Sequence, residues 1–194
     1  MTRLPEVSDR DASLGGKVAF YFMKRQFARL TGRQNETMLG PVRIMAHIPK
    51  LLSGYGKLEQ AVAKVHLLDL RHRALAELKA ATTVRCEYCI DLGSRVSRDW
   101  GLTDEELVAL PNYRSAACFS DVDKLVLEYA AAMSRTPVEV TDELFDKLRA
   151  QFNTPQFVEL TFIVALENLR GRFNLAMGIA AAGFSEGMVC AIPD

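Results

Sequence analysis

Two cysteines separated by two residues, in the run Cys86-Glu87-Tyr88-Cys89, are the side chains of this sequence best suited to chemistry. Thiols at this spacing can reach each other and cycle between a dithiol and a disulfide. A helix that begins at the pair would place its positive N-terminal end beside one sulfur and favour the thiolate, which is the reactive form. The spacing therefore predicts thiol redox chemistry.

Two other interpretations of the pair remain open. A structural zinc ion commonly takes four ligands, as two such pairs or as one pair with two histidines. Here Cys118 and Cys190 stand alone, and all three histidines precede the pair. The two thiols are also compatible with simple packing, because free cysteine is among the most buried residue types. We expect no metal ion and no other cofactor.

The remaining sequence predicts the helices that must position the pair. Apolar residues recur at helical spacing, with caps and stops at the ends, over residues 17–30, 42–47, 50–65, 67–84, 86–100, 103–110, 122–134, 142–152 and 155–182. Thr103 and Glu106 form a capping box at the start of one of them. Gly171 and Gly178 lie inside the last helix, where they would allow another helix to approach closely or would break this helix in two. The predicted fold class is all-α.

Composition and charge narrow the classes of function. The chain has 194 residues, of which 49% are hydrophobic and 25% charged, as in an ordinary globular domain. Lys plus Arg and Asp plus Glu number 24 each, and this balance argues against a nucleic-acid surface. The N-terminus lacks the apolar segment of a signal peptide, and no apolar stretch is long enough to span a bilayer. We predict a cytoplasmic location and no membrane partner, with a tail over residues 1–16 and one helical domain over residues 17–194.

A longer stretch around the cysteines is similar to a known family. The run LAELKAATTVRCEYCID, residues 75–91, resembles the alkylhydroperoxidase D-like branch of the carboxymuconolactone decarboxylase family, in which a helix and a small turn lead into Cys-x-x-Cys. Residues 165–174 and 183–187 resemble the closing helix and tail of that family, so the likeness covers about residues 41–189. The resemblance implies a single-domain helical bundle that assembles into homo-oligomers.

The resemblance also implies an activity. Cys89 would attack a peroxide oxygen and become a sulfenic acid, and Cys86 would then close the disulfide. An external dithiol reductant would restore the pair by exchange. The expected function is a peroxidase-like thiol oxidoreductase whose small-molecule substrate is hydrogen peroxide or an organic hydroperoxide.

The sequence departs from the family pattern at three positions of the proton relay. Tyr88 and Gly93 stand where the best-studied members have histidines, and Ala74 stands where they have a glutamate. Glu77 lies near the same helix face as Ala74, so we expect its carboxyl to serve as the acid/base, with a pKa raised by burial. Tyr88 would donate a hydrogen bond to a thiolate or peroxide oxygen.

Each of these two expectations has a competing interpretation. Glu77 could instead pair with Arg73 or Lys79 at the surface, and Tyr88 could be a packed aromatic residue.

Two further functions remain open as alternatives. A decarboxylase or isomerase acting on a lactone or small organic acid needs a base and an anion-binding group but no thiol, so it would survive replacement of both Cys86 and Cys89 by serine. A non-catalytic helical protein with a redox-sensing pair would become oxidised, yet it would show no turnover in the presence of a reductant.

Overall fold

The structure is a computed structural model that describes residues 2–33 and 35–194. Within these residues the chain is all-helical and contains no strand, which confirms the predicted fold class. The α-helices are α1 (Leu14–Thr31), α2 (Gly40–Met45), α3 (Pro49–Val62), α4 (Leu70–Val84), α5 (Glu87–Asp99), α6 (Asp104–Ala109), α7 (Asp121–Ser134), α8 (Asp142–Arg149) and α9 (Thr154–Met177). Two short 3₁₀ helices, Glu36–Leu39 and Leu110–Asn112, connect them. None of the described helices is both long and apolar enough to cross a membrane.

Helix α4 is the central element and packs against α5, α7 and α9. Because it is surrounded, small or medium apolar residues are buried on several of its sides instead of along one stripe. These buried residues are Ala74, Leu75, Ala76, Leu78, Ala80 and Ala81. The central helix therefore delivers the chain to the cysteine pair from inside the core.

The ends of α4 and α9 differ from the sequence prediction for local reasons. Helix α4 begins at Leu70, three residues late, because the Asp69 carboxylate caps it by accepting the His72 N–H at 2.9 Å. Helix α9 ends at Met177 instead of residue 182, because Gly178 adopts a left-handed conformation with φ of 68°. Residues 178–194 then leave the helix as an irregular segment, which we call the strap.

The segment before α1 packs on the helical core. The Arg3 N–H donates to the Met177 carbonyl at 2.8 Å, and the Arg43 guanidinium donates to the Val7 carbonyl at 2.8 Å. Helix α1 starts at Leu14, three residues before the predicted start at residue 17. Of the tail predicted over residues 1–16, Met1 lies outside the described residues.

Candidate active site

The cysteine pair lies at the junction between α4 and α5. Arg85 adopts a left-handed conformation with φ of 59° and turns the chain between the two helices. Cys86 is then the N-cap of α5, and its Sγ accepts the Cys89 N–H at 3.3 Å. The first turn of α5 therefore points a backbone donor and its positive end at this sulfur, an arrangement that stabilises a thiolate.

Cys86 and Cys89 form a disulfide in the structure, with their Cα atoms 5.2 Å apart. Cys86 has no exposed surface, whereas Cys89 is 7% exposed. A reagent arriving from solvent therefore meets Cys89 first. The other two cysteines, Cys118 and Cys190, are free thiols.

Helix α9 contributes an amide to the pair. Asn174, which is only 3% exposed, places its Nδ2 at 3.7 Å from Cys86 Sγ and 3.6 Å from Cys89 Sγ. Gly171, one turn earlier, makes this approach possible. A Cβ at Gly171 would lie 2.7 Å from Val84 Cγ2 and 3.4 Å from Cys86 Cβ. The expectation that Gly171 allows a close helix approach is thus confirmed.

Substitution Gly171→Ala tests this contact. We expect it to lower the free energy of unfolding by about 1–3 kcal/mol, because Val84 or the whole of α9 must move. Gly54→Ala is the matched control, since Gly54 lies inside α3 and a Cβ there meets nothing within 4 Å. That control should gain about 0.5–1 kcal/mol from the higher helix propensity of alanine. Urea unfolding measures both; a Gly171→Ala variant as stable as the wild type would contradict the close approach.

Tyr88 uses its hydroxyl away from the sulfurs. The hydroxyl donates to the Met38 carbonyl at 2.6 Å, and the buried ring packs edge-on against Phe184 with centroids 5.4 Å apart. Burial raises the pKa of this phenol. The structure thus gives Tyr88 a different partner from the thiolate or peroxide suggested by the sequence. Its contribution to the site is to fix the first turn of α5.

Glu77 lies in an ionic cluster between α4 and α9. Its Oε1 is 3.5 Å from Arg73 Nε and 3.9 Å from Arg170 Nη1, and the same Arg170 nitrogen is 2.9 Å from Glu167 Oε2. Burial is the main cause that raises the pKa of both Glu77 and Glu167. The structure therefore combines features of both interpretations of Glu77: its pKa is raised, and it pairs with Arg73.

The cluster is separated from the sulfurs along α9. Glu167, Gly171 and Asn174 are spaced at i, i+4 and i+7 and share one face of the helix. At 1.5 Å per residue, Glu167 and Asn174 are roughly 10 Å apart along the axis. No hydrogen bond or ion pair among the described residues joins Glu77 to a sulfur, so direct proton transfer between them is not built into this arrangement.

Asp91, two residues after Cys89, anchors the strap to α5. Its Oδ2 accepts the N–H groups of Ala182, Gly183 and Phe184 at 2.9, 2.7 and 3.0 Å, and its Oδ1 accepts the Ser185 N–H at 2.7 Å. The residue is only 6% exposed. Four donors therefore surround this carboxylate, and they offset much of the opposition its charge would otherwise offer to a nearby thiolate.

Further contacts hold the rest of the strap across the cysteine-bearing helix. The Ala191 N–H donates to Ser94 Oγ at 3.0 Å, and the buried Lys79 ammonium of α4 donates to both Asp194 carboxylate oxygens at 2.7 Å. The strap thus crosses α5 and returns to α4.

A surface pocket of about 390 Å³ lies beside the site. Val84, Thr136, Arg172 and Leu175 are among its lining residues. Val84 also packs against Gly171, whose position on α9 is close to Cys86. Within the part of the chain that the structure describes, no group of three or more His, Cys, Asp or Glu side chains is arranged to hold a metal ion.

Sequence reasoning placed neither Asn174 nor Asp91 in the candidate site. Both belong to stretches that carry the family resemblance. For Asn174 the available signal was an amide three residues after Gly171 on a largely apolar helix. For Asp91 no signal existed, because its partners are backbone groups of an irregular segment.

Sequence comparisons find relatives that cover most of the chain. The sequence profile of the carboxymuconolactone decarboxylase family matches residues 49–132. The chain is 38% identical over 175 residues to the uncharacterized protein YnjA of Escherichia coli (strain K12), covering 88% of this chain and 91% of the relative. It is 28% identical over 111 residues to the uncharacterized protein YdfG of Bacillus subtilis (strain 168), covering 57% of this chain and 76% of that relative.

Solved structures share the same arrangement of helices. A cysteine-to-alanine variant of the debrominase Bmp8, in complex with 2,3,4-tribromopyrrole, superposes with a TM-score of 0.75 at 18% identity, over 94% of each chain. The structure of a peroxidase-related protein from Ralstonia eutropha JMP134 is described as an alkylhydroperoxidase AhpD core. It superposes with a TM-score of 0.72 at 16% identity, over 93% of this chain and 92% of that protein. At these identities the likeness establishes a common fold.

Proposed function

Since the chain belongs to the carboxymuconolactone decarboxylase family, we propose that it is a thiol-dependent oxidoreductase with peroxidase-like activity. The observation that carries the proposal is the bonded Cys86–Cys89 pair at the start of α5, with the Asn174 amide against both sulfurs. The pair is already within bonding distance on one turn of helix. The helix N-terminus and the amide both favour thiolate.

The proposed cycle consumes one peroxide and one external dithiol. The Cys89 thiolate attacks a peroxide oxygen; the O–O bond breaks, and the departing oxygen takes a proton and leaves as alcohol or water. Cys89 is then a sulfenic acid, and the Cys86 thiolate displaces water, after protonation of the hydroxyl, to form the disulfide. One donor thiolate attacks Cys89, and Cys86 leaves as a thiolate. The second donor thiolate then attacks the first donor sulfur, which breaks the mixed disulfide, releases the Cys89 thiolate and forms the donor disulfide.

Glu77 is proposed as the source of the proton that the departing oxygen needs. Its raised pKa, together with that of Glu167, keeps protonated carboxyl available at higher pH than usual. Since no described hydrogen bond joins Glu77 to a sulfur, and Glu167 lies about 10 Å along α9 from Asn174, the proposed route for the proton is through bridging water. Ala74, at the position of the family glutamate, is packed in the core and cannot serve.

The homo-oligomer implied by the resemblance is part of the proposal. Exposed apolar side chains at Val158, Phe162 and Leu169 follow one side of α9. Such an unpartnered apolar stripe fits a surface that is covered in an assembly.

The cytoplasmic location remains a prediction.

The proposal is tested by consumption of cumene hydroperoxide with dithiothreitol as the donor. We expect sustained turnover by the wild type and by Cys118→Ser and Cys190→Ser, because neither free thiol belongs to the pair. An absence of turnover in the wild type would overturn the proposal. We would assay 2,3,4-tribromopyrrole alongside, because a fold neighbour is described as a debrominase in complex with it.

A further inference from the structure

The side-chain amide of Asn174 lies with its N–H donors facing the sulfurs. Its Nδ2 is the side-chain donor that the described residues place against both Cys86 and Cys89. Its own backbone carbonyl accepts the Ile179 N–H at 2.9 Å, which anchors the end of α9. Since a carboxamide has two N–H bonds, one amide can face two sulfurs at once.

A hydrogen-bond donor in this position stabilises an ionised sulfur more than a neutral one. Thiol and disulfide sulfurs are weak acceptors, whereas hydrogen bonds to an ionised partner are roughly twice as strong as neutral ones. A buried thiolate without donors is costly. The amide therefore stabilises the reduced, ionised pair relative to both the neutral dithiol and the disulfide.

The two sulfurs differ in the number of hydrogen-bond donors that face them and in their exposure. Cys86 Sγ accepts the Cys89 N–H at 3.3 Å in addition to the amide, and it is fully buried. Cys89 Sγ has the amide at 3.6 Å and the greater exposure. Cys89 is thus placed to meet the substrate and the reductant, and Cys86 is placed to carry negative charge.

From this geometry we infer that Asn174 is a catalytic residue that stabilises the Cys86 thiolate. Cys86 is the thiolate that attacks during disulfide closure, and it is the group that leaves when a donor thiolate attacks Cys89. The inference deepens the proposed function, on which it rests for the identity of the reacting sulfurs. It assigns to a neutral amide part of the electrostatic task for which the family pattern uses histidines.

The test measures thiolate formation without any peroxide. In a background that carries Cys89→Ser, Cys118→Ser and Cys190→Ser, Cys86 is the one remaining cysteine. This protein is alkylated with iodoacetamide as a function of pH, and labelling of Cys86 is checked by mass. Asn174→Leu removes the donors at similar volume. We expect it to slow alkylation at pH 7 about tenfold and to raise the pH midpoint by about one unit. Asn174→Asp, which replaces the donor with an anion, should raise the midpoint further.

The matched control is Asn168→Leu. Asn168 is a half-buried amide of the same helix whose Nδ2 donates to Ser134 Oγ at 2.9 Å, away from the sulfurs. This variant reports the structural cost of losing an amide from α9 and should leave the pH midpoint unchanged.

An unchanged midpoint in either Asn174 variant, in a folded protein, would overturn the inference even if the wild type turns over peroxide. A raised pH midpoint in both Asn174 variants, with an unchanged midpoint in Asn168→Leu, supports the inference even if the wild type shows no peroxidase turnover. Failure of the inference and failure of the proposed function are therefore distinguishable. Equilibration with dithiothreitol of the protein that keeps both Cys86 and Cys89 gives a second readout, in which Asn174→Leu should favour the disulfide about tenfold.

Discussion

Cys89→Ser should abolish peroxide turnover, by about 10³-fold or more, because it removes the nucleophile that the cycle requires. Cys86→Ser should instead retain the first step. Cys89 would still attack the peroxide, but its sulfenic acid would have no neighbouring thiol with which to form a disulfide. Dimedone should therefore label Cys89 in the Cys86→Ser protein after peroxide treatment, while Cys89→Ser should give no label within the pair.

The control for these variants is Cys118→Ser, which makes the same atomic change at a free thiol elsewhere. It should keep the wild-type rate. If Cys89→Ser turned over peroxide and Cys86→Ser did not react, the roles carried over from the family resemblance would be reversed. Burial argues for the stated order, since Cys86 has no exposed surface.

Asp91→Ala should cost about 3–5 kcal/mol of unfolding free energy, the largest stability effect that we expect from a single polar side chain here. The substitution leaves four N–H groups of residues 182–185 without their acceptor. It should also loosen Phe184, which packs against Tyr88 beside the cysteine pair. Urea unfolding measures the loss, and proteolysis of residues 178–194 locates it.

Asp99→Ala is the matched control for this prediction. Asp99 is on the same helix, but its carboxylate is half exposed and pairs with Arg95 at 2.9 Å. An exposed pair of this kind contributes about 0.2–1 kcal/mol. If Asp91→Ala were no more costly than Asp99→Ala, the strap would not depend on the carboxylate clamp.

The helices and the pair could be predicted because their signals are local. Capping residues such as Thr103 and the apolar periodicity lie within each element, and Cys86 and Cys89 are separated by one turn. The end of α9 was missed because Gly178 could either continue or stop the helix, and only its left-handed conformation decides.

The rest of the site depends on distant segments that sequence alone does not bring together. Asn174 follows Cys89 by 85 residues and reaches it only because Gly171 lets α9 approach. The Tyr88 hydroxyl bonds a carbonyl 50 residues away, at Met38. The residue type does not show which backbone carbonyl accepts a hydrogen bond, so the sequence does not predict the positioning role of Tyr88.

The environment of Glu77 could be predicted from the sequence only in part. Its place on α4 and its raised pKa could be anticipated from the missing family glutamate. Its link to Glu167 through Arg170 could not, because that contact depends on how α9 packs against α4.

The most direct test of the dithiol cycle is a thiol count with intact mass on the reduced wild type, before and after one equivalent of cumene hydroperoxide. The cycle predicts rapid loss of two thiols and of two mass units, mapped to Cys86 and Cys89. It also predicts reversal by dithiothreitol and no such change in Cys89→Ser. Two thiols that remain free, with an unchanged mass, would contradict the redox function of this pair.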